Sequence, residues 1–148
     1  MRLPLEVASA IRGALPETMP MLVRISSTDW MEGGWDIEGS VEYVRGLKAL
    51  GVDLVDVSSG GLVAAAKPAV GPMYQVAFAR TIRERTGVKT GAVGMITELS
   101  EARSVVDGGA ADIVSFGRLL LRDPYWPIRN APSERRRSPL QYLRAFPS

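Results

Sequence analysis

Arg24 is the first residue whose setting calls for a chemical partner. It lies inside the apolar run Met21-Leu22-Val23-Arg24-Ile25-Ser26. A guanidinium within a packed strand is costly unless an anion or a strong acceptor meets it. Two kinds of partner are open to it: a carboxylate of the chain, Asp56 or Asp29, or a bound ligand. Its position near the end of the run is where α/β folds build their sites. Phe116-Gly117-Arg118 suggests phosphate chemistry. Glycine lets the backbone approach a ligand closely, a helix start offers free N–H groups, and arginine supplies a forked cation. The loop Gly91-Ala92-Val93-Gly94-Met95-Ile96-Thr97 repeats the pattern. Its amides are expected to face the same phosphate, as the loops after the last two strands of barrels do. The alternative is that its glycines only serve a tight turn. Ser58-Ser59-Gly60-Gly61 opens a long connection to Tyr74 that contains Pro68, Gly71 and Pro72 and reads as a site or interface loop, with Lys67 as a solvated lysine.

Other chemistries are excluded by residue type. The 148 residues contain no cysteine and no histidine. Disulfides, thiolate nucleophiles and cysteine-based metal sites are therefore out of reach, and so is the usual general base near neutral pH. No metal site is expected. A net charge of +2 is too small to argue for nucleic acid. The one dense basic run, Arg135-Arg136-Arg137, has no interleaved aromatic residues and reads as a solvated tail. No apolar run approaches the roughly 18 residues of a membrane span, and no secretory signal is visible at the start, so a cytoplasmic setting is expected.

The elements that must position these residues alternate. The apolar runs at Met21–Ser26, Asp53–Val57, Lys89–Val93 and Asp112–Phe116 are short and nearly continuous, which predicts parallel strands buried on both faces. Helical patterns occupy Leu5–Leu15, Ile37–Leu50, Val76–Arg85 and Glu98–Asp107. Asp36 and Thr97 are the expected N-caps, and Gly51, Gly87 and Gly108-Gly109 the stops. This order predicts an α/β fold of about four βα units, half of a (β/α)8 barrel, whose full form takes about 250 residues. A small open doubly wound sheet is the rival. A half-barrel leaves sheet edges and one face uncovered, which implies a partner. The half-barrel is expected over residues 1–131. An Arg/Pro-rich linker and a docking tail with Leu140, Tyr142, Leu143 and Phe146 are expected over 132–148.

Several of these segments, taken together, resemble one family. They are Leu22-Val23-Arg24-Ile25-Ser26-Ser27-Thr28-Asp29-Trp30, Gly51-Val52-Asp53-Leu54-Val55-Asp56-Val57-Ser58-Ser59-Gly60-Gly61, Val70-Gly71-Pro72-Met73-Tyr74-Gln75, Thr90-Gly91-Ala92-Val93-Gly94-Met95-Ile96-Thr97 and Gly117-Arg118-Leu119-Leu120-Leu121-Arg122-Asp123-Pro124-Tyr125-Trp126-Pro127. In this order they resemble the C-terminal half of the Old Yellow Enzyme family, in its xenobiotic-reductase-like bacterial subgroup. The resemblance implies the C-terminal half of a TIM barrel, strands five to eight, and an FMN cofactor reduced by NADPH or NADH. It implies hydride transfer from the flavin to activated alkenes such as α,β-unsaturated carbonyls. Arg24 would lie against the pyrimidine edge of the flavin. Gly117 and Arg118 would hold its phosphate, with backbone contacts from Val93 and Gly94. Arg144 resembles the arginine that reaches into a neighbouring subunit's site, implying a homo-oligomer or a complementing N-terminal half.

The departures point the same way. The family's histidine pair that grips the substrate carbonyl, and its proton-donating tyrosine, belong to the other half. No catalytic residue is therefore expected in this chain, and turnover without the N-terminal half is not expected. Met73 stands where the family has glycine, and Leu143 where an aromatic residue is common. Two further readings are a non-catalytic phosphate- or flavin-binding half-barrel that self-associates, and a dihydroorotate-dehydrogenase-like barrel. The latter shares the phosphate cradle but not the motifs around Trp30 and Arg122–Pro127.

Overall fold

The computed structural model describes residues 1–130 and 139–145. The expected linker from 132 to 138, with its arginine run, and Phe146 lie outside the described residues. The described chain forms two compact units, 1–115 and 116–148.

In the first unit the order is α1 (Arg2–Ala14), β1 (Leu22–Ser26), α2 (Ile37–Ala49), β2 (Leu54–Ser58), α3 (Val76–Thr86), β3 (Lys89–Ala92), α4 (Leu99–Asp107) and β4 (Ile113–Val114). The strands form one parallel sheet in the order β1-β2-β3-β4. Each new strand is added on the same side of the last, so crossovers of the usual right hand put every helix on the same face. A doubly wound sheet needs a reversal of strand order to cover both faces, and there is none. The arrangement is that of a half-barrel.

This topology corrects the expectation that the strands are buried on both faces. Side chains alternate across a strand. On the helix side Val55, Val57, Thr90 and Ala92 are fully buried. On the other side the register aligns Arg24, Asp56, Gly91 and Ile113 in one row. There Leu22 and Ile113 are 58% and 41% exposed, and Arg24, Ser26 and Lys89 are exposed as well. The apolar residues that made the strands look buried twice thus face an uncovered surface in this chain. β1 is also a free edge.

The core lies between sheet and helices. Val41, Val44 and Leu47 of α2 and Ala79 and Ile82 of α3 are fully buried, and the two helices pack on each other. Asp36 caps α2, its carboxylate accepting from Gly39 N–H at 2.9 Å. Gly87 ends α3 in the left-handed conformation. Helix α1 begins earlier than the apolar pattern suggested, because Pro4 sits in its first turn, where no N–H is needed. At α4 the cap is Glu98, not Thr97. The Glu101 carboxylate accepts from the backbone N–H of both Thr97 (2.8 Å) and Glu98 (3.1 Å), and these bonds hold its pKa below the usual carboxylate value.

Carboxylates pin the N-terminal ends of the strands. Asp53 accepts from Met21 N–H at 2.7 Å. Asp112 accepts from Thr90 N–H at 2.9 Å and from Arg83 Nε at 3.0 Å. Arg83 is the main reason the Asp112 carboxyl sits below its ordinary pKa. The opposite, C-terminal ends of the strands are left to the loops.

In the second unit α5 (Arg118–Arg122) and α6 (Trp126–Asn130) are followed by a 3-10 turn at Leu140–Ala145. Phe116 meets Trp126 at a ring distance of 4.9 Å, and Tyr125 meets Tyr142 at 5.7 Å.

Candidate functional site

The loops at the C-terminal ends of β1 and β2 are tied together by hydrogen bonds. Ser27 N–H and Oγ both donate to the Ser58 carbonyl, at 2.8 Å each. Ser26 Oγ donates to the Gly60 carbonyl at 2.8 Å, and Gly60 N–H donates to Thr28 O at 2.8 Å. Trp30 Nε1–H reaches Ser59 Oγ at 3.0 Å, and Ser59 Oγ reaches Gln75 Oε1 at 2.6 Å. Trp30 also packs edge-on against Phe78, at 5.4 Å between rings. Sequence reasoning did not assign Gln75 or Ser59 a role. The signal available was a serine pair and a glutamine at opposite ends of one long connection.

Arg24 is on β1, on the uncovered face, and its guanidinium meets Asp56 Oδ2 at 2.6 Å. Of the two partners open to it, the carboxylate is therefore present. The arginine is not buried as its apolar surroundings suggested: its side chain is 56% exposed, against 18% for Asp56. The exposure follows from the bare sheet face, and it leaves the rest of the guanidinium fork available. Asp56 Oδ1 is buried with no hydrogen-bond partner. Gly91 makes room for it, since a Cβ there would lie 3.1 Å from that oxygen. An open cavity of about 730 Å³ runs along the β1 edge, lined by Arg24, Ser26, Asp29, Trp35 and Tyr43 among others.

Val93 and Gly94 follow β3 directly. Gly94 has φ +125°, a conformation that residues with a side chain rarely adopt. Gly117 and Arg118 belong to the second unit. Gly117 has open space where a Cβ would be, and Arg118 begins α5. That helix is only five residues long, so phosphate affinity there would rest on the arginine and the free amides more than on a helix dipole. Arg144 lies exposed in the 3-10 turn. The structure brings Arg24 together with Asp56. Val93 and Gly94 stand on the loop that Gln75 touches.

The profile of the NADH:flavin oxidoreductase / NADH oxidase family matches residues 1–136. The chain belongs to this family. It is 46% identical over 129 residues to an NADPH dehydrogenase of Geobacillus thermodenitrificans, an alignment covering 86% of this chain and 38% of that protein. An NADPH dehydrogenase of Listeria innocua is 43% identical over the same shares of the two chains. The chain thus spans about two fifths of the length of the curated relatives it matches. Among solved structures, a 2-naphthoyl-CoA reductase in complex with 2-naphthoyl-CoA superposes with a TM-score of 0.75 at 24% identity, over 85% of this chain and 20% of that one. That likeness speaks for the fold, the parallel βα units of a barrel. FMN with NAD(P)H as reductant is the cofactor chemistry of the family. Among the described residues no helix is long and apolar enough to cross a membrane.

Proposed function

We propose that this chain supplies the flavin-holding half of an NAD(P)H-dependent reductase of activated alkenes. The observation that carries the reading is a half-exposed arginine, Arg24, held by Asp56 on the bare face of the sheet, two residues before the β1 C-terminus. The residues present fit an FMN. A cation stands on an open face, a buried carboxylate oxygen lacks a donor, and Gly94 carries no side chain of its own.

When bound, FMN would supply the hydride chemistry that links the nicotinamide to the alkene. Arg24 would set positive charge beside the pyrimidine edge of the flavin and so favour its anionic reduced form. Gly117 and Arg118 would offer amide and guanidinium donors to a phosphate dianion, and Val93 and Gly94 would offer backbone amides to the cofactor. Arg144 contacts substrate or a neighbouring subunit, in a homo-oligomer or beside a complementing N-terminal half. The tail over 132–148 serves that docking. The substrate is a small enone-type molecule, and the setting is cytoplasmic. No histidine of this chain can grip the substrate oxygen, so turnover waits on the other half.

Equilibrium dialysis against FMN and riboflavin, followed by an NADPH and enone assay, tests this. The expected result is retention of FMN over riboflavin by roughly tenfold or more, as a lost charge-assisted phosphate contact implies, with no enone turnover by the chain alone. Equal affinity for both flavins, or turnover by the isolated chain, would contradict the reading.

A further inference from the structure

Gln75 lies where three of the strand-to-helix connections meet. It is 4% exposed. The indole nitrogen of Trp30 can only donate, and it donates to Ser59 Oγ at 3.0 Å. The single proton of Ser59 is then free to go to Gln75 Oε1, at 2.6 Å. This chain of donors fixes the carboxamide orientation, with its oxygen toward Ser59 and its Nε2 toward Gly94. A Cβ on residue 94 would lie 3.0 Å from Gln75 Nε2 and 3.2 Å from its Cβ and Cγ. The absence of a side chain at Gly94 is thus what lets Gln75 sit flush against the turn.

The same three connections hold non-glycine residues at left-handed φ: Trp30 at 58°, Met73 at 58° and Met95 at 55°. Such conformations persist only where the surroundings over-determine them, and they gather at functional sites. Gln75 is two residues from Met73 in the chain, packs against Gly94 next to Met95 and is joined to Trp30 through Ser59.

We propose that Gln75 is a positioning residue, a strut that locks the Val93–Met95 turn to the β2–α3 connection and to Trp30. It thereby presents the Val93 and Gly94 amides, preformed, to the ligand. The inference deepens the flavin-site reading and rests on it for the ligand's identity. The locking itself does not depend on that reading.

The test uses the full chain with Gln75→Met, which keeps the volume and removes the hydrogen bonds, and Gln75→Glu, which keeps an acceptor for Ser59. Amide hydrogen exchange, the Trp30 indole N–H resonance and an FMN titration are read in each. Gln75→Met is expected to speed exchange about fivefold or more at Gly60 and at residues 94–97, as loss of a buried hydrogen bond implies. The β2 and β3 amides keep their protection, the Trp30 resonance shifts, and FMN binds about tenfold more weakly. Gln75→Glu is expected to restore the Trp30 resonance. Unchanged loop exchange overturns the proposal, and so does acceleration of loops and strands together, which marks Gln75 as ordinary core. Loosened loops with undiminished FMN affinity overturn the positioning role. If the unsubstituted chain binds no FMN, the proposed function fails, and the exchange pattern alone decides the strut.

Discussion

Replacing Arg24 with alanine separates the two partners open to this residue. If the guanidinium serves chiefly to pair Asp56, its loss should be a stability event. The geometry sets the size. The side chain of Arg24 is 56% exposed, and an ion pair with that much solvent contributes about 0.2–1 kcal/mol. Its removal also leaves Asp56, whose Oδ1 is already without a partner, with no donor for Oδ2. An unsatisfied, largely buried acceptor costs about 1–3 kcal/mol, reduced here because the 18% of the Asp56 side chain still open to solvent admits water. Arg24→Ala should therefore destabilise the chain by no more than about 2 kcal/mol. A charge-assisted bond to a flavin is worth about 1.5–3 kcal/mol, or roughly 10- to 150-fold in FMN affinity. Urea denaturation and an FMN fluorescence titration on the same samples give both numbers. A large loss of stability with unchanged FMN affinity would refute the reasoning and leave Arg24 a structural partner of Asp56.

Other perturbations test the frame around the site. Leu47, fully buried in α2, should cost about 2–5 kcal/mol on truncation to alanine, read as a lower urea midpoint. Gly94→Ala should be modest in stability, about 1–3 kcal/mol from the forced φ, yet displace the turn from Gln75; it should weaken FMN binding more than its loss of stability accounts for, as a titration beside a melt will show. Asp112 has its pKa depressed in the folded state, chiefly by Arg83, so its stabilisation is present above the unfolded carboxylate pKa of about 4 and is lost as pH falls through the folded value. Asp112→Asn should lower the melting temperature at neutral pH and flatten its decline in acid; an unchanged acid profile would show that the pair with Arg83 carries no linkage.

Much of the fold was legible because its signals are local. Apart from the start of α1, three residues early, the strand runs and helix faces fell within a residue or two of their observed bounds, and Asp36 and Gly87 act as the sequence indicated. What misled is non-local. Apolar continuity in β1 and β4 encodes a surface that another element would cover, so Leu22 and Ile113 read as buried and stand exposed. Asp112–Phe116 read as a full strand, but only Ile113–Val114 ladder with β3, at the edge of the sheet. The cap at α4 moved to Glu98 because Glu101 reaches back to two amides, a competition that residue type alone does not rank. Arg24 was found as an anomaly in an apolar run. Gln75 was not, because its link to Trp30 and Gly94 spans three separate connections.

The account turns on whether this chain by itself holds a flavin. The most direct measurement is the visible absorption spectrum of the purified chain after incubation with FMN and desalting, set beside that of Arg24→Ala. The account predicts a retained flavin band in the unsubstituted chain, perturbed from that of free FMN, and its loss in the variant. A colourless unsubstituted chain, or equal flavin in both, would contradict it.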